Sequence, residues 1–161
     1  MNIDNDWKII RKHVNDSFKT SLHVSIATVD SENNPTVTPI GSLFLNRDQS
    51  GFYFEKFTSK LPLNATENNN VCVLAVNSSK WLWLKSLWKG TFKKHLALQL
   101  YGTLGERRIA TEIELSRLSK RMKLTKKLKG NTYLWSDMKY VREIKFHNVA
   151  KMKLGKMTAA L

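Results

Sequence analysis

Two dense clusters of turn-forming residues set the plan of the first third of this chain. Asp30-Ser-Glu-Asn-Asn-Pro35 and Asn46-Arg-Asp-Gln-Ser-Gly51 are rich in residues that bond their own backbone or tolerate left-handed geometry. They separate three stretches that alternate apolar and polar: Leu22–Val29, Thr36–Leu45 and Phe52–Glu55. A period of two marks a strand with one buried face. Short turns between such runs make neighbouring strands antiparallel. The spacing predicts a three-stranded antiparallel meander, with Gly51 supplying the permissive backbone of the second turn.

The remaining elements surround that meander. Trp7, Ile10, Val14 and Phe18 recur at helical spacing, predicting an amphipathic helix over 5–18 that packs on the sheet. Leu61–Asn69 has room for two helical turns, and Pro62 falls in the first of them, where no N–H is needed. Val71–Val76 is nearly all apolar and reads as a strand buried on both faces. Leu96–Leu104, with Gly102 as a bulge or close approach, and Tyr140–Phe146 complete the set of strands. Thr111–Leu128 reads as a long helix stopped by Gly130-Asn131, a usual terminator. The 161 residues suit one domain rather than two. The expected fold is mainly β with flanking helices, a small six-stranded antiparallel barrel over residues 1–161.

The charge is lopsided. The net value is +14, yet residues 1–80 hold 8 Lys/Arg against 8 Asp/Glu, whereas 81–161 hold 19 against 5. Such a field attracts anionic ligands, nucleic acid or acidic lipid headgroups. Two segments concentrate it. An insertion at about 80–94 interleaves Trp81, Trp83 and Trp88 with Lys80, Lys85, Lys89, Lys93 and Lys94. The segment at about 110–129 carries seven Lys/Arg from Arg117 to Lys129 and no acid.

A helical insertion puts Trp81, Leu84 and Trp88 on one stripe. It can pack on the barrel or a partner subunit, or serve as a membrane-surface or base-stacking element. The cost of leaving indoles in water favours packing. Lys151–Leu161 is a basic tail with no evident core.

Much chemistry is missing. His13, His23, His95 and His147 are not spaced as metal ligands. There is no glycine-rich phosphate loop, nucleophile elbow or paired-carboxylate pattern, so no side chain is nominated as catalytic. Cys72, the only cysteine, has no disulfide partner and reads as a small buried residue. The longest apolar runs, such as Trp81–Leu84, are too short to cross a bilayer. The N-terminus has no apolar signal region, so the expected location is cytoplasmic. An enzyme of this composition would borrow its reactive group from a cofactor.

Phe54-Glu-Lys-Phe-Thr-Ser-Lys60 marks the handover from strand to helix. Thr58, Ser59 and Lys60 place two hydroxyls and an ammonium at a helix N-terminus, where free N–H groups favour an anion. The same residues also make an ordinary cap followed by a solvated lysine. Together with Thr36-Val-Thr-Pro-Ile40 before them and Asn64 and Val71-Cys-Val-Leu74 after, they resemble the pyridoxamine 5'-phosphate oxidase-like FMN-binding split barrels over about residues 20–104.

That resemblance implies a homodimer with FMN at its interface. Ser59 and Lys60, beside Thr58, would hold the phosphate. The backbone around Val37, Thr38 and Pro39, with Phe54 and Glu55, would line the isoalloxazine or ribityl chain. The chain departs from the pattern at Leu61, where a second basic residue is common. It departs again at Ala97 and Leu98, where the oxidase proper brings a glutamine. Lys93, Lys94 or His95 from the other subunit offer a replacement. The implied function is an oxidoreductase passing electrons between a nicotinamide or small oxidant and flavin. The alternatives are a non-catalytic flavin or haem binder, and a barrel scaffold whose basic surface binds nucleic acid or membrane.

Overall fold

A computed structural model describes residues 1–161. Helix α1 (Ile3–Ser21) is capped by Asn2, whose side chain accepts from the N–H groups of Asp4 and Asn5, a usual helix start. Its buried stripe is Ile3, Trp7, Ile10, Val14 and Phe18, the face predicted from spacing. The strands are β1 (Val24–Val29), β2 (Pro35–Ile40), β3 (Phe44–Leu45), β4 (Ser50–Phe54), β5 (Asn70–Val76), β6 (Ala97–Ile109) and β7 (Tyr140–Lys151). They form one sheet in the order β2-β1-β5-β6-β7-β4-β3, with every neighbouring pair antiparallel.

The strand count is therefore seven rather than six. The predicted second strand breaks into β2 and β3 at Gly41-Ser42-Leu43. Its first half pairs with β1 and its second half with β4, so the meander survives as a bent strand. β2 and β3 lie at opposite ends of the sheet. Four backbone steps span at most about 14 Å, so the short corner brings those two edges together, as a barrel requires. Gly51 lies inside β4 rather than at the turn. A Cβ there would come within 2.7 Å of the Phe44 carbonyl, and Gln49, with φ 60°, takes the left-handed position.

The main core gathers α1 and the inward residues of the sheet, including Val24, Ile26, Val73, Leu98, Leu100, Ile144 and Phe146. Burying side chains of this size contributes about 1.5–3 kcal/mol each. β5 is buried on one face only. Val71, Val73 and Ala75 point inward, whereas Cys72, Leu74 and Val76 are half-exposed. Register places Leu74 beside Ser25 and Gln99, and Cys72 beside Ala27 and Tyr101. With Val37 opposite Ala27, these residues form an outward face across β2, β1, β5 and β6 that mixes apolar groups with Ser25, Gln99 and Tyr101. α1 joins the main core, and α2 (Lys60–Glu67) bonds inward-facing Thr28 and Thr36 through Asn64.

Three other segments differ from expectation. The predicted long helix divides into α4 (Glu112–Met122), a 3₁₀ turn at Lys123–Thr125 and α5 (Lys129–Trp135), so Gly130-Asn131 lies within α5 instead of ending α4. The Trp/Lys insertion is a helix, α3 (Lys80–Lys89), whose expected stripe faces solvent. The C-terminal tail is docked, with Thr158 buried and the Met157 carbonyl accepting from the Phe92 N–H at 2.8 Å. No helix is long and apolar enough to cross a membrane.

Candidate functional site

The β2–β3 corner is held from several sides. Buried Ser42 Oγ accepts from the Phe54 N–H at 3.1 Å and donates to the Phe54 carbonyl at 3.3 Å, replacing ladder bonds that the break removes. Two arginines of α4 turn inward over this corner. Arg121 donates to the carbonyls of Leu43 at 2.6 Å and Gly41 at 3.4 Å. Its guanidinium lies 3.7 Å from the centre of the Phe44 ring and 4.2 Å from that of Phe18. Burial, aided by the Arg117 charge, pulls the Arg121 pKa down to about 10, which leaves it charged at neutral pH. Arg117 donates to Asn46 Oδ1 at 2.7 Å and to the Leu45 carbonyl at 3.0 Å. Part of the basic run is thus structural, an inward face that charge counting alone does not show.

Gly41 lets α5 approach the corner. A Cβ there would meet Trp135 Cη2 at 2.9 Å. Trp135 then forms one side of a groove of about 330 Å³, with Leu134 and Met138 beside it. The strands supply Thr38, Pro39, Ile40 and Phe54, and Phe57 and Thr58 continue the lining toward α2. The volume lies at the small end of the range for cofactor-sized ligands. Lys56 closes the groove by donating to the Ser136 carbonyl, and its ammonium lies 5.0 Å from the centre of the Phe57 ring.

Four of the eight predicted cofactor residues therefore meet in one place: Thr38, Pro39, Phe54 and Thr58. Thr58 Oγ1 is buried and has no hydrogen-bond partner, a condition that costs about 1–3 kcal/mol unless a ligand satisfies it. Ser59 and Lys60 follow at the exposed start of α2. Ser59 occupies the N-cap position but its side chain makes no cap bond, so the hydroxyl is not used by the helix. Asp30 lies near enough to sense Lys60, although the backbone N–H of Asn34 is the main cause of its lowered pKa.

The other two predicted residues, Val37 and Glu55, do not line the groove. Val37 is 65 % exposed on the outward sheet face. Glu55 is buried in an ionic cluster: Tyr53 OH donates to it at 2.9 Å, Arg142 Nε at 2.8 Å and Arg107 Nε at 3.1 Å. Burial first, then the Glu55 charge, drives the Tyr53 hydroxyl pKa far upward. Glu55 therefore ties β4 to β6 and β7 and does not line the groove. Lys56, Phe57, Trp135 and Met138 were missed as lining residues. The first two lie inside the stretch read for phosphate, and a lone indole in a polar basic region was the only signal for Trp135.

By superposition on solved structures, the chain has the fold of the pyridoxamine 5'-phosphate oxidase-like split barrels. No protein-family model matches it, and no curated protein matches it in sequence. Among solved structures, an FMN-binding protein from Syntrophomonas wolfei superposes with a TM-score of 0.61 at 14 % identity, covering 94 % of this chain and 95 % of that one. A Lactobacillus delbrueckii protein described as a candidate pyridoxamine 5'-phosphate oxidase gives 0.53 at 20 % identity, covering 86 % and 90 %. HutZ, the haem storage protein of Vibrio cholerae, gives 0.53 at 12 % identity, covering 94 % and 95 %.

Proposed function

We propose that this protein is a cytosolic, homodimeric FMN-binding flavoprotein that passes electrons between a nicotinamide or small oxidant and the flavin. The observation that carries the reading is the groove with Thr58 at its edge. A buried hydroxyl lacking a partner sits between an apolar lining and the start of α2. That donor set fits FMN, whose flat ring needs apolar walls and whose phosphate needs a cation and donors. Lys60 and the free N–H groups at the start of α2 would bind the phosphate, with the Ser59 and Thr58 hydroxyls donating to the same end. Pro39, Ile40, Phe54 and Trp135 would exclude water from the ring. FMN, when bound, supplies the electron-transfer chemistry that the side chains here lack.

The outward face of β2, β1, β5 and β6 supports a homodimer. Val37, Ala27, Cys72 and Leu74 present an uncharged apolar strip of the kind two sheets can share. A fold neighbour stores haem, which makes haem the second reading. No histidine lines the groove, and haem iron most often takes a histidine ligand, so flavin leads.

The test is a flavin titration with three proteins. Lys60→Ala should weaken FMN binding about tenfold or more, the order expected for a charge-assisted bond to phosphate. Lys126→Ala, which lies outside the groove's lining, should leave it unchanged. Equal losses in both variants would remove the assigned phosphate site. Oxidation of NADH or NADPH by the FMN-loaded protein then separates an oxidoreductase from a silent binder.

A further inference from the structure

Helix α3 stands apart from the groove and its chemistry. Its start is capped by Ser79, whose Oγ accepts from the Leu82 N–H, and Gly90, with φ 66°, ends it. Ser86 is its only buried residue. Trp83 makes an edge contact with Phe92, ring centres 5.4 Å apart, which fixes the inner side. The opposite side is Trp81, Leu84, Leu87 and Trp88, exposed by 81, 63, 61 and 85 %. Residues three and four apart share a helix face, so these four form one continuous apolar stripe in solvent. Single exposed apolar residues are ordinary, but a contiguous patch marks an interaction site.

The charge around the stripe has one sign. Lys80, Lys85 and Lys89 lie on α3, and Lys93 and Lys94 follow it, all exposed. There is no Asp or Glu from Asn68 to Gly105. The docked tail adds to the same end. The Phe92 N–H and the Thr91 hydroxyl both donate to the Met157 carbonyl, which brings exposed Lys153 and Lys156 to the α3 end of the molecule. α3 and the tail, neither of which lines the groove, are thereby gathered into one patch.

We infer that α3 docks this protein on an anionic phospholipid bilayer, lying in the plane of its surface. Tryptophan favours the headgroup level, with its ring in the apolar layer and its N–H toward water. Flanking lysines keep their ammonium groups among phosphates while their stems extend the apolar contact. Ten residues span about 15 Å as a helix, half the hydrocarbon thickness, so α3 rests on the membrane and does not cross it. A second copy of the same stripe would bring like-charged lysines together with no carboxylate on α3 to face them. Nucleic acid would engage the lysines but leaves Leu84 and Leu87, between the two indoles, without a role.

The experiment is sedimentation of the full chain with phosphatidylcholine vesicles, with and without phosphatidylglycerol, at low ionic strength. The protein should pellet with the anionic vesicles and stay in solution with the neutral ones. Its tryptophan emission should shift to the blue on binding. Trp81→Ala with Trp88→Ala, and separately Lys85→Glu with Lys89→Glu, should each reduce partitioning about tenfold or more. Lys126→Glu with Lys127→Glu, an equal charge change at exposed sites elsewhere, should keep most of the binding. The inference fails if the wild type ignores anionic vesicles or the indole variant binds as well as wild type. It fails equally if the Lys126/Lys127 variant loses as much as the Lys85/Lys89 one. Conversion of a dimer to a monomer by the indole substitutions, without lipid, would assign the stripe to a second copy and overturn it.

Discussion

Two helices of this chain, α3 and α4, each carry three Lys/Arg and behave oppositely in the fold. α4 turns Arg117 and Arg121 inward, where each finds backbone carbonyls and aromatic rings. α3 turns its lysines and indoles outward and is fixed by little more than Trp83 and Ser86. The difference follows from side-chain chemistry. A planar guanidinium is weakly hydrated and stacks on rings while donating at its edges, whereas an ammonium keeps its water. Arginine in a basic run can therefore belong to the frame of a protein, and lysine more readily to its surface.

Substitutions on the two helices should separate these roles, beginning with the largest effect. Arg121→Ala removes a half-buried cation from two carbonyls and two rings, and should lower the unfolding free energy in denaturant by about 2–4 kcal/mol. A loss no larger than that of a surface lysine would break the contrast. Ser42→Ala, at the corner beneath Arg121, leaves the Phe54 N–H buried without its acceptor and should cost about 1–2 kcal/mol.

Glu114, in the first turn of α4, sharpens the contrast through pH. Burial raises its pKa, but the Arg108 bonds at 2.8 and 2.9 Å and the Thr111 N–H outweigh that, so the net shift is downward. A carboxyl with a lowered folded pKa stabilises above its unfolded pKa and loses that contribution as pH falls through the folded one. Glu114→Gln should thus cost about 1 kcal/mol at neutral pH, allowing for the partial exposure of Arg108, and its stability should converge with wild type in acid. The smallest effect belongs to α3: Trp81→Ser with Trp88→Ser should change stability by less than about 0.5 kcal/mol, as exposed side chains do.

Local periodicity made most of the fold legible. The α1 stripe, the Asp30–Pro35 hairpin and the strand cores of β5, β6 and β7 follow from apolar spacing and turn chemistry, which act over a few residues. The break at Gly41–Leu43 was not legible, because it depends on closure of the sheet and on Ser42 reaching Phe54 twelve residues away. The groove was half legible. Thr38, Pro39 and Phe54 followed from the family resemblance and Thr58 from the helix-start pattern, but Trp135 is brought there by α5, whose position no local pattern encodes. Glu55 lies in an ionic cluster outside the groove for a similar reason, since its partners Arg107 and Arg142 lie on strands far along the chain. On α3 only Trp83 packs on the barrel, against Phe92, and the rest of the stripe stays exposed on the single chain, because burial of tryptophan is a tendency and not a rule.

The flavin assignment is the central claim, and one absorbance spectrum tests it most directly. The purified protein, incubated with FMN and passed through a desalting column, should emerge yellow with bands at about 370 and about 450 nm. A colourless protein, or one that retains haem with a strong band at about 400 nm instead, would contradict the account.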